Sequence, residues 1–118
     1  MEQMPPPPPE LTLAATAFAA LGSEQRLAIV RRLVRAGPAG LSMGELGEDV
    51  GVAGSVLTHH LKQLVSAGLV SQRKDGRRIL SQVDHPAIEA LAAFLIAECC
   101  ADQGDRQIAT EPNGGQHG

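Results

Sequence analysis

At 118 residues and a net charge of −3, the chain has room for one domain and one modest core. It has no Trp or Tyr and only two Phe, Phe18 and Phe94, so Ala, Leu and Val must fill that core, and a core this thin gains from dimerising. No apolar run is long enough to span a bilayer and the start lacks the charge-then-apolar pattern of a signal peptide, so a cytoplasmic protein with no membrane partner is expected.

Met1–Glu10 carries five consecutive prolines, Pro5–Pro9, a stiff polyproline segment read as a disordered tail, with docking to a partner as its other use. Leu11–Leu21 follows as an alanine-rich helix, apolar on nearly every side and so expected to be buried on more than one face. Ser23 is placed to cap a helix over about Glu24–Ala36, with Leu27, Val30, Leu33 and Val34 inward and Arg31, Arg32 and Arg35 outward. Gly37-Pro38 stops it. Ser42-Met43-Gly44-Glu45 is a capping box flanked by Leu41 and Leu46 at the staple positions, and Gly51 closes the short helix that it opens.

After the tight turn Gly51-Val52-Ala53 comes the stretch with the clearest division of faces. Leu57, Leu61, Leu64 and Val65 fall on a core-facing side, while Ser55, Thr58, His59 and Lys62 fall opposite. His60 lies nearer the core and is read as a hydrogen-bonded packing residue. Gly68 ends the helix, and Leu69–Arg73 and Arg77–Val83 read as strands around Lys74-Asp75-Gly76, which leaves a basic wing of Arg73, Lys74, Arg77 and Arg78. Asp84 or His85 caps a last helix with Pro86 in its first turn, and Ile88, Leu91, Ala92, Leu95, Ile96 and Cys99 form an apolar stripe. Such a stripe implies a seam with the first helix and with a second subunit, Phe18 and Phe94 being candidate fillers. The expected organisation is a tail over 1–10, a mainly α domain with a two-stranded hairpin wing over 11–102, and a flexible polar tail over 103–118.

The charge distribution says more than its sum. From Ala53 to Val83 there are five positive side chains and one negative, whereas from Asp84 onward six acidic residues face Arg106 alone. The basic middle suits phosphate and the acidic end faces away from it.

A helix, a short turn, a second helix with a small polar face and then a hairpin make a winged helix-turn-helix, a device for reading DNA. The residues Leu21-Gly22-Ser23-Glu24-Gln25-Arg26-Leu27, Ser55-Val56-Leu57-Thr58-His59-His60-Leu61, Ala67-Gly68-Leu69-Val70 and the Asp75-Gly76-Arg77 tip together resemble the ArsR/SmtB family of metal-responsive repressors. The resemblance implies a homodimer on palindromic double-stranded operator DNA that leaves it when an inducer binds. It places base-reading contacts at Ser55, Thr58 and His59 and a phosphate contact at Lys62, while Gly54 stands where many members carry a hydrogen-bonding side chain. Small hydroxyls let a helix approach the major groove, and wing arginines position the protein through phosphate or an adjacent minor groove. The bland alternatives are a solvated hairpin tip and structural histidines.

No permanently bound cofactor is expected, so the open question is the inducer. The arsenite type with Cys-x-Cys before the reading helix is excluded, because Met43–Val50 has no cysteine. The zinc type uses Asp and His early in the last helix and His plus Glu near its end; Asp84 and His85 are present, but Pro86 and Ala97 stand where ligands would be needed. Zn(II) wants four ligands, so a site from Asp84, His85, Cys99 and Cys100 would need the partner subunit. Cys99-Cys100 is then the best sensor, since soft thiolates favour thiophilic centres and a vicinal pair suits As(III), methylarsenite or Sb(III). Zn(II) or Cd(II), or thiol oxidation, are the other signals considered, and Cys99 as a small core residue with an incidental neighbour is the plain alternative. From other classes, a dithiol redox protein would need its cysteines at a helix start, and a structural interaction module would show no salt-dependent DNA affinity. No phosphate loop or nucleophile elbow is present, so an enzyme is not expected.

Overall fold

The computed structural model describes residues 9–52 and 54–103. Most of the expected proline-rich tail, up to residue 8, and the expected polar tail from residue 104 lie outside these. Pro9 and Glu10, assigned to the tail from sequence, instead open the first helix, α1, over Pro9–Ala20. The helix α2 covers Glu24–Ala36, and Ser23 caps it by accepting from the Arg26 amide at 3.3 Å. A 3-10 turn over Gly37–Ala39 leads into a two-residue strand, β1, Leu41–Ser42. Then follow α3 over Met43–Val50, α4 over Gly54–Ser66, the strands β2 (Val70–Asp75) and β3 (Arg78–Val83), and α5 over His85–Ile96.

The capping box forms as expected: Ser42 Oγ accepts from the Glu45 amide at 3.2 Å and Glu45 Oε1 accepts from the Ser42 amide at 2.9 Å. That second bond holds the Glu45 carboxyl below its ordinary value. Leu46, at the inner staple position, is fully buried. The sheet is antiparallel in the order β1-β3-β2, so the hairpin wing carries a third strand that the sequence did not announce. A two-residue strand has too little length to show a period, and its pairing of Leu41 with Ser81 and Ser42 with Leu80 rests on a close backbone approach. Gly40 permits that approach, with φ of +71° and no room for a Cβ against the Ser81 carbonyl.

The face of α2 is turned from that expected, and one residue of the α4 face falls outside it. On α2 the buried residues are Ile29, Val30 and Leu33, whereas Leu27 and Val34, expected inward, are 45% and 41% exposed. The true stripe runs Arg26, Ile29, Val30, Leu33, the i, i+3, i+4, i+7 pattern with an arginine in its first slot. On α4 the stripe is Leu57, His60, Leu61 and Leu64, and Val65 is left exposed. The hairpin is also one residue later than expected. Asp75 pairs with Arg78, so the loop is Gly76-Arg77, with Gly76 at φ +67° in the glycine-first pattern.

Asp84 caps α5 through its Oδ1, which accepts from the Ala87 amide at 3.1 Å. The helix is shorter than its stripe: it ends at Ile96, and Cys99 sits in the turn beyond it rather than on the helix face. Within one chain α1 buries only Ala14 and Ala17, and of α5 only Leu91 is buried. Leu13, Leu95 and Ile96 are each about two-thirds exposed. Both helices therefore present an apolar face to the same side, around a groove of about 580 Å³ whose lining includes Leu13, Ala17, Leu91, Phe94 and Ala97.

Ser42→Ala removes the hydroxyl of the capping box and is expected to lower the unfolding free energy by about 1 kcal/mol. Calorimetry should register that as a fall in Tm of roughly 4–8 °C for a domain of this size. Gly40→Ala, which adds a backbone overlap to a left-handed φ, is expected to lower Tm further.

Candidate nucleic-acid interface

The turn between α3 and α4 is set by two glycines. Gly51 takes φ of +73° and donates its amide to the Gly47 carbonyl at 2.9 Å, which ends α3. Gly54, the first residue of α4, takes φ of +61° in open space. The position that resembled a lost base-reading side chain is thus one where an L side chain would be strained, and its glycine serves the backbone.

Ser55, Thr58, His59 and Lys62 all lie exposed on α4, on the side opposite Leu57, Leu61 and Leu64. Thr58 Oγ1 donates to the Gly54 carbonyl at 3.3 Å, which leaves the hydroxyl oxygen free to accept. Val56 joins this face at 50% exposure. An apolar side chain there fits the methyl group of a thymine, a role that a search for polar readers passes over. Its signal in the sequence is that it falls off the Leu57–Leu61–Leu64 stripe.

Of the four basic wing residues, Lys74 and Arg77 are exposed and make no ion pair among the described residues. Arg78 Nη2 lies 3.3 Å from Asp75 Oδ2 across the turn, an exposed pair of small energetic value. Arg73 differs from the rest. Its guanidinium donates to the Ala39 carbonyl at 3.0 Å, the Pro38 carbonyl at 3.4 Å and Gln82 Oε1, so it pins the wing to the 3-10 turn.

Behind the exposed face, His60 is buried between α4 and α2. Arg26 Nη1 lies 3.4 Å from His60 Nδ1, and His60 Nε2 lies 2.7 Å from Gln25 Oε1. A guanidinium only donates, so Nδ1 accepts and the ring proton sits on Nε2, donating to Gln25. Burial, then the charges of Arg26 and His59, push the His60 pKa below its ordinary value. Sequence reading placed His60 as a hydrogen-bonded packing residue but did not name Gln25 and Arg26 as its partners.

At the far end of the chain Cys99 and Cys100 are both exposed, with their sulfurs 3.5 Å apart. Cys100 takes φ of 62°, the left-handed region, which folds the two side chains to one side as a regular helix would not. Cys99 holds the Cys100 thiol above its ordinary pKa through their mutual hydrogen bond and then its charge. Two sulfurs about 2.3 Å from one tetrahedral centre stand roughly 3.8 Å apart, so a single thiophilic atom fits this pair with little movement. Asp84 and His85 sit at the opposite end of a 12-residue helix, roughly 18 Å long. Among the described residues no group of three or more His, Cys, Asp or Glu could hold a metal ion, so no mixed site forms within one chain.

Residues 21–73 match a helix-turn-helix domain family. The chain is 43% identical over 65 residues to YceK, an uncharacterized HTH-type transcriptional regulator of Bacillus subtilis strain 168; the match covers 55% of this chain and 64% of YceK, just under two thirds of that relative. To YgaV, an HTH-type transcriptional regulator of Escherichia coli K12, it is 33% identical over 82 residues, covering 70% of this chain and 81% of YgaV. A Halobacterium salinarum protein bearing the name of the arsenical resistance operon repressor ArsR is 39% identical over 69 residues, which cover 58% of this chain and 53% of that one. Among solved structures, an ArsR-like transcriptional regulator from Rhodococcus sp. RHA1 superposes with a TM-score of 0.69 at 27% identity, covering 89% of this chain and all of that one. A homodimeric winged helix-turn-helix domain, Mb0332 of Mycobacterium bovis, shares the fold at 18% identity and a TM-score of 0.63, covering 87% of this chain and 92% of that one.

The two kinds of wing arginine are separable by experiment. Arg77→Ala is expected to weaken DNA binding and reduce the salt slope of the affinity by about 1, with Tm unchanged. Arg73→Ala is expected to lower Tm, because three acceptors lose their donor. The folded-state pKa of His60 lies below its unfolded value, so the stability from neutral His60 is present above about pH 6.5 and lost as the pH falls. Thermal melts between about pH 7 and 5 should therefore decline less steeply for His60→Gln than for the unaltered chain.

Proposed function

Since the chain belongs to the helix-turn-helix transcriptional regulators, we propose that it is a homodimeric repressor of the ArsR type on a palindromic operator, released when a trivalent arsenical bridges Cys99 and Cys100. The output half rests on α4 and the wing. Ser55, Val56, Thr58 and His59 offer hydroxyl, apolar and imidazole groups to base edges, while Lys62, Lys74 and Arg77 offer charge to phosphate. The acidic side chains Glu89, Glu98 and Asp102, on α5 and just past it, carry the opposite sign and lie away from α4 in the chain, which favours one orientation on DNA.

The occupant proposed for the α1–α5 groove is a second copy of the chain. Its lining is almost wholly apolar, and Leu13, Leu95 and Ile96 stand exposed beside it at levels a monomer rarely tolerates in one patch. A symmetric pair would bury both faces at once and place two α4 helices on one side of the dimer. That is what a palindrome requires.

The observation that carries the sensing half is the 3.5 Å separation of the two sulfurs across a turn in which Cys100 is left-handed. Methylarsenite in water carries two hydroxyls and one carbon on arsenic. Each thiol replaces one hydroxyl: two As–O bonds break, two As–S bonds form, and each thiol proton leaves with a hydroxide as water. The oxidation state of arsenic does not change, and no third ligand is needed. Ala97 lines the dimer groove two residues before Cys99, so closing this ring acts at the end of the seam. Zn(II) fits less well, because the two thiols supply half of its ligands and no third donor joins them among the described residues.

The test is fluorescence anisotropy of the protein on a duplex from the region upstream of its own gene, with methylarsenite, arsenite, antimonite, Zn(II) and Cd(II) added separately. Methylarsenite is expected to release the unaltered protein at one equivalent per protomer and with no net proton release, and to leave Cys99→Ser and Cys100→Ser bound. Release by Zn(II) with proton release, or release of the serine variants by methylarsenite, would contradict the sensing half. Failure to bind the duplex at all would contradict the output half.

A further inference from the structure

The contact between α2 and α4 holds more than packing. Arg26 occupies the first slot of the buried stripe of α2, and its guanidinium reaches in two directions. Nε donates to the Ala20 carbonyl, in the last turn of α1, at 2.6 Å, while Nη1 donates to His60 Nδ1 on α4 at 3.4 Å. The other ring nitrogen of His60 is held by Gln25 at 2.7 Å. One guanidinium thus ties the end of the helix that carries the apolar seam to the middle of the helix that faces DNA. The ring of the neighbouring His59, on the exposed side, lies 5.9 Å from that of His60.

We propose that Arg26 is a positioning residue for DNA reading: by joining the Ala20 carbonyl to His60, it makes the orientation of α4 depend on where the end of α1 sits. The proposal rests on the reading of α4 as the DNA-facing helix. Its physical basis is the shape of the guanidinium, a planar fork with donors in fixed directions. A helix held only by Leu57, Leu61 and Leu64 can roll about its axis, because apolar contacts are non-directional. Two hydrogen bonds on the His60 ring remove that freedom. The consequence is felt at His59 and Thr58, which share the next positions around the same helix. Movement of α1 on closing or opening the seam pulls on the Ala20 carbonyl and, through Arg26, on His60.

Lys in place of Arg keeps the charge and the aliphatic stem but carries its three donors on one nitrogen, without the separated nitrogens in fixed directions that reach acceptors on two helices. Arg26→Lys is therefore expected to bind the upstream duplex about tenfold more weakly, the size of one lost hydrogen bond to a charged group. Its affinity for an unrelated duplex of equal length should not change, since non-specific binding follows charge. A purely structural role for Arg26 would weaken both alike and lower Tm in step. Should Arg26→Lys fail to fold, His60→Leu and His60→Gln give the same comparison. Leu fills the site and leaves Arg26 Nη1 without its acceptor, whereas Gln can still accept from Arg26 and donate to Gln25. Loss of specific affinity in His60→Leu with rescue in His60→Gln supports the proposal. Equal specific affinity in Arg26→Lys and the unaltered chain, or parallel loss on both duplexes, overturns it. If the unaltered chain prefers neither duplex, the reading of α4 fails first, and that outcome is distinct from failure of the Arg26 link.

Discussion

The architecture depends on how α4 is held, because a reading helix is useful only if its outer face has a fixed orientation. Leu57, Leu61 and Leu64 supply the burial that keeps it on the core, and they are among the least exposed side chains in the molecule. Burial alone sets which side faces in, not the roll of the helix to within the fraction of an ångström that base contacts need. The polar group set into that apolar stripe, His60 with Arg26 and Gln25 around it, supplies direction. A satisfied polar cluster in a small core costs desolvation, and it specifies one arrangement where an all-leucine contact would admit several.

The remaining parts arrange themselves around that helix. The capping box and Gly51 fix the length of α3, so the chain enters α4 at a set angle. Arg73 and β1 fasten the wing to the 3-10 turn, leaving Lys74 and Arg77 exposed toward its tip. On another side α1 and α5 expose leucine, isoleucine and phenylalanine, which a second copy would cover. The thiol pair lies just past α5. In the proposed function signal and output sit on different elements, and the bond from Arg26 to the Ala20 carbonyl is what would join them through α1.

Much of this was legible in the sequence, for identifiable reasons. Caps and breakers are local: Ser23, Ser42-Glu45, Gly51 and Asp84 act on amides within three or four residues, and all of them appear where the residue order placed them. What was misread depends on tertiary contact. The face of α2 was turned because Leu27 and Val34 were read as inward, while Arg26, given no face, holds a core-facing slot whose acceptor His60 lies 34 residues away. Strand β1 is two residues long, and its evidence is the partner strand. The length of α5 was overestimated because the apolar stripe continues in composition to Cys99, past the end of the helix at Ile96. The site residues show the same division. The polar side of α4 follows from periodicity, whereas the anchoring of Arg73 by two main-chain carbonyls follows from no pattern along the chain.

The central claim is that DNA is met by the exposed face of α4 together with the tip of the wing. Hydrogen–deuterium exchange of the protein with and without the upstream duplex tests it most directly, because it reads every segment in one measurement. The account predicts the strongest slowing of exchange at residues 51–66 and 73–78, with only smaller changes on the α1–α5 face. Protection centred on α1 and α5, with α4 and the wing exchanging as in the free protein, would contradict it.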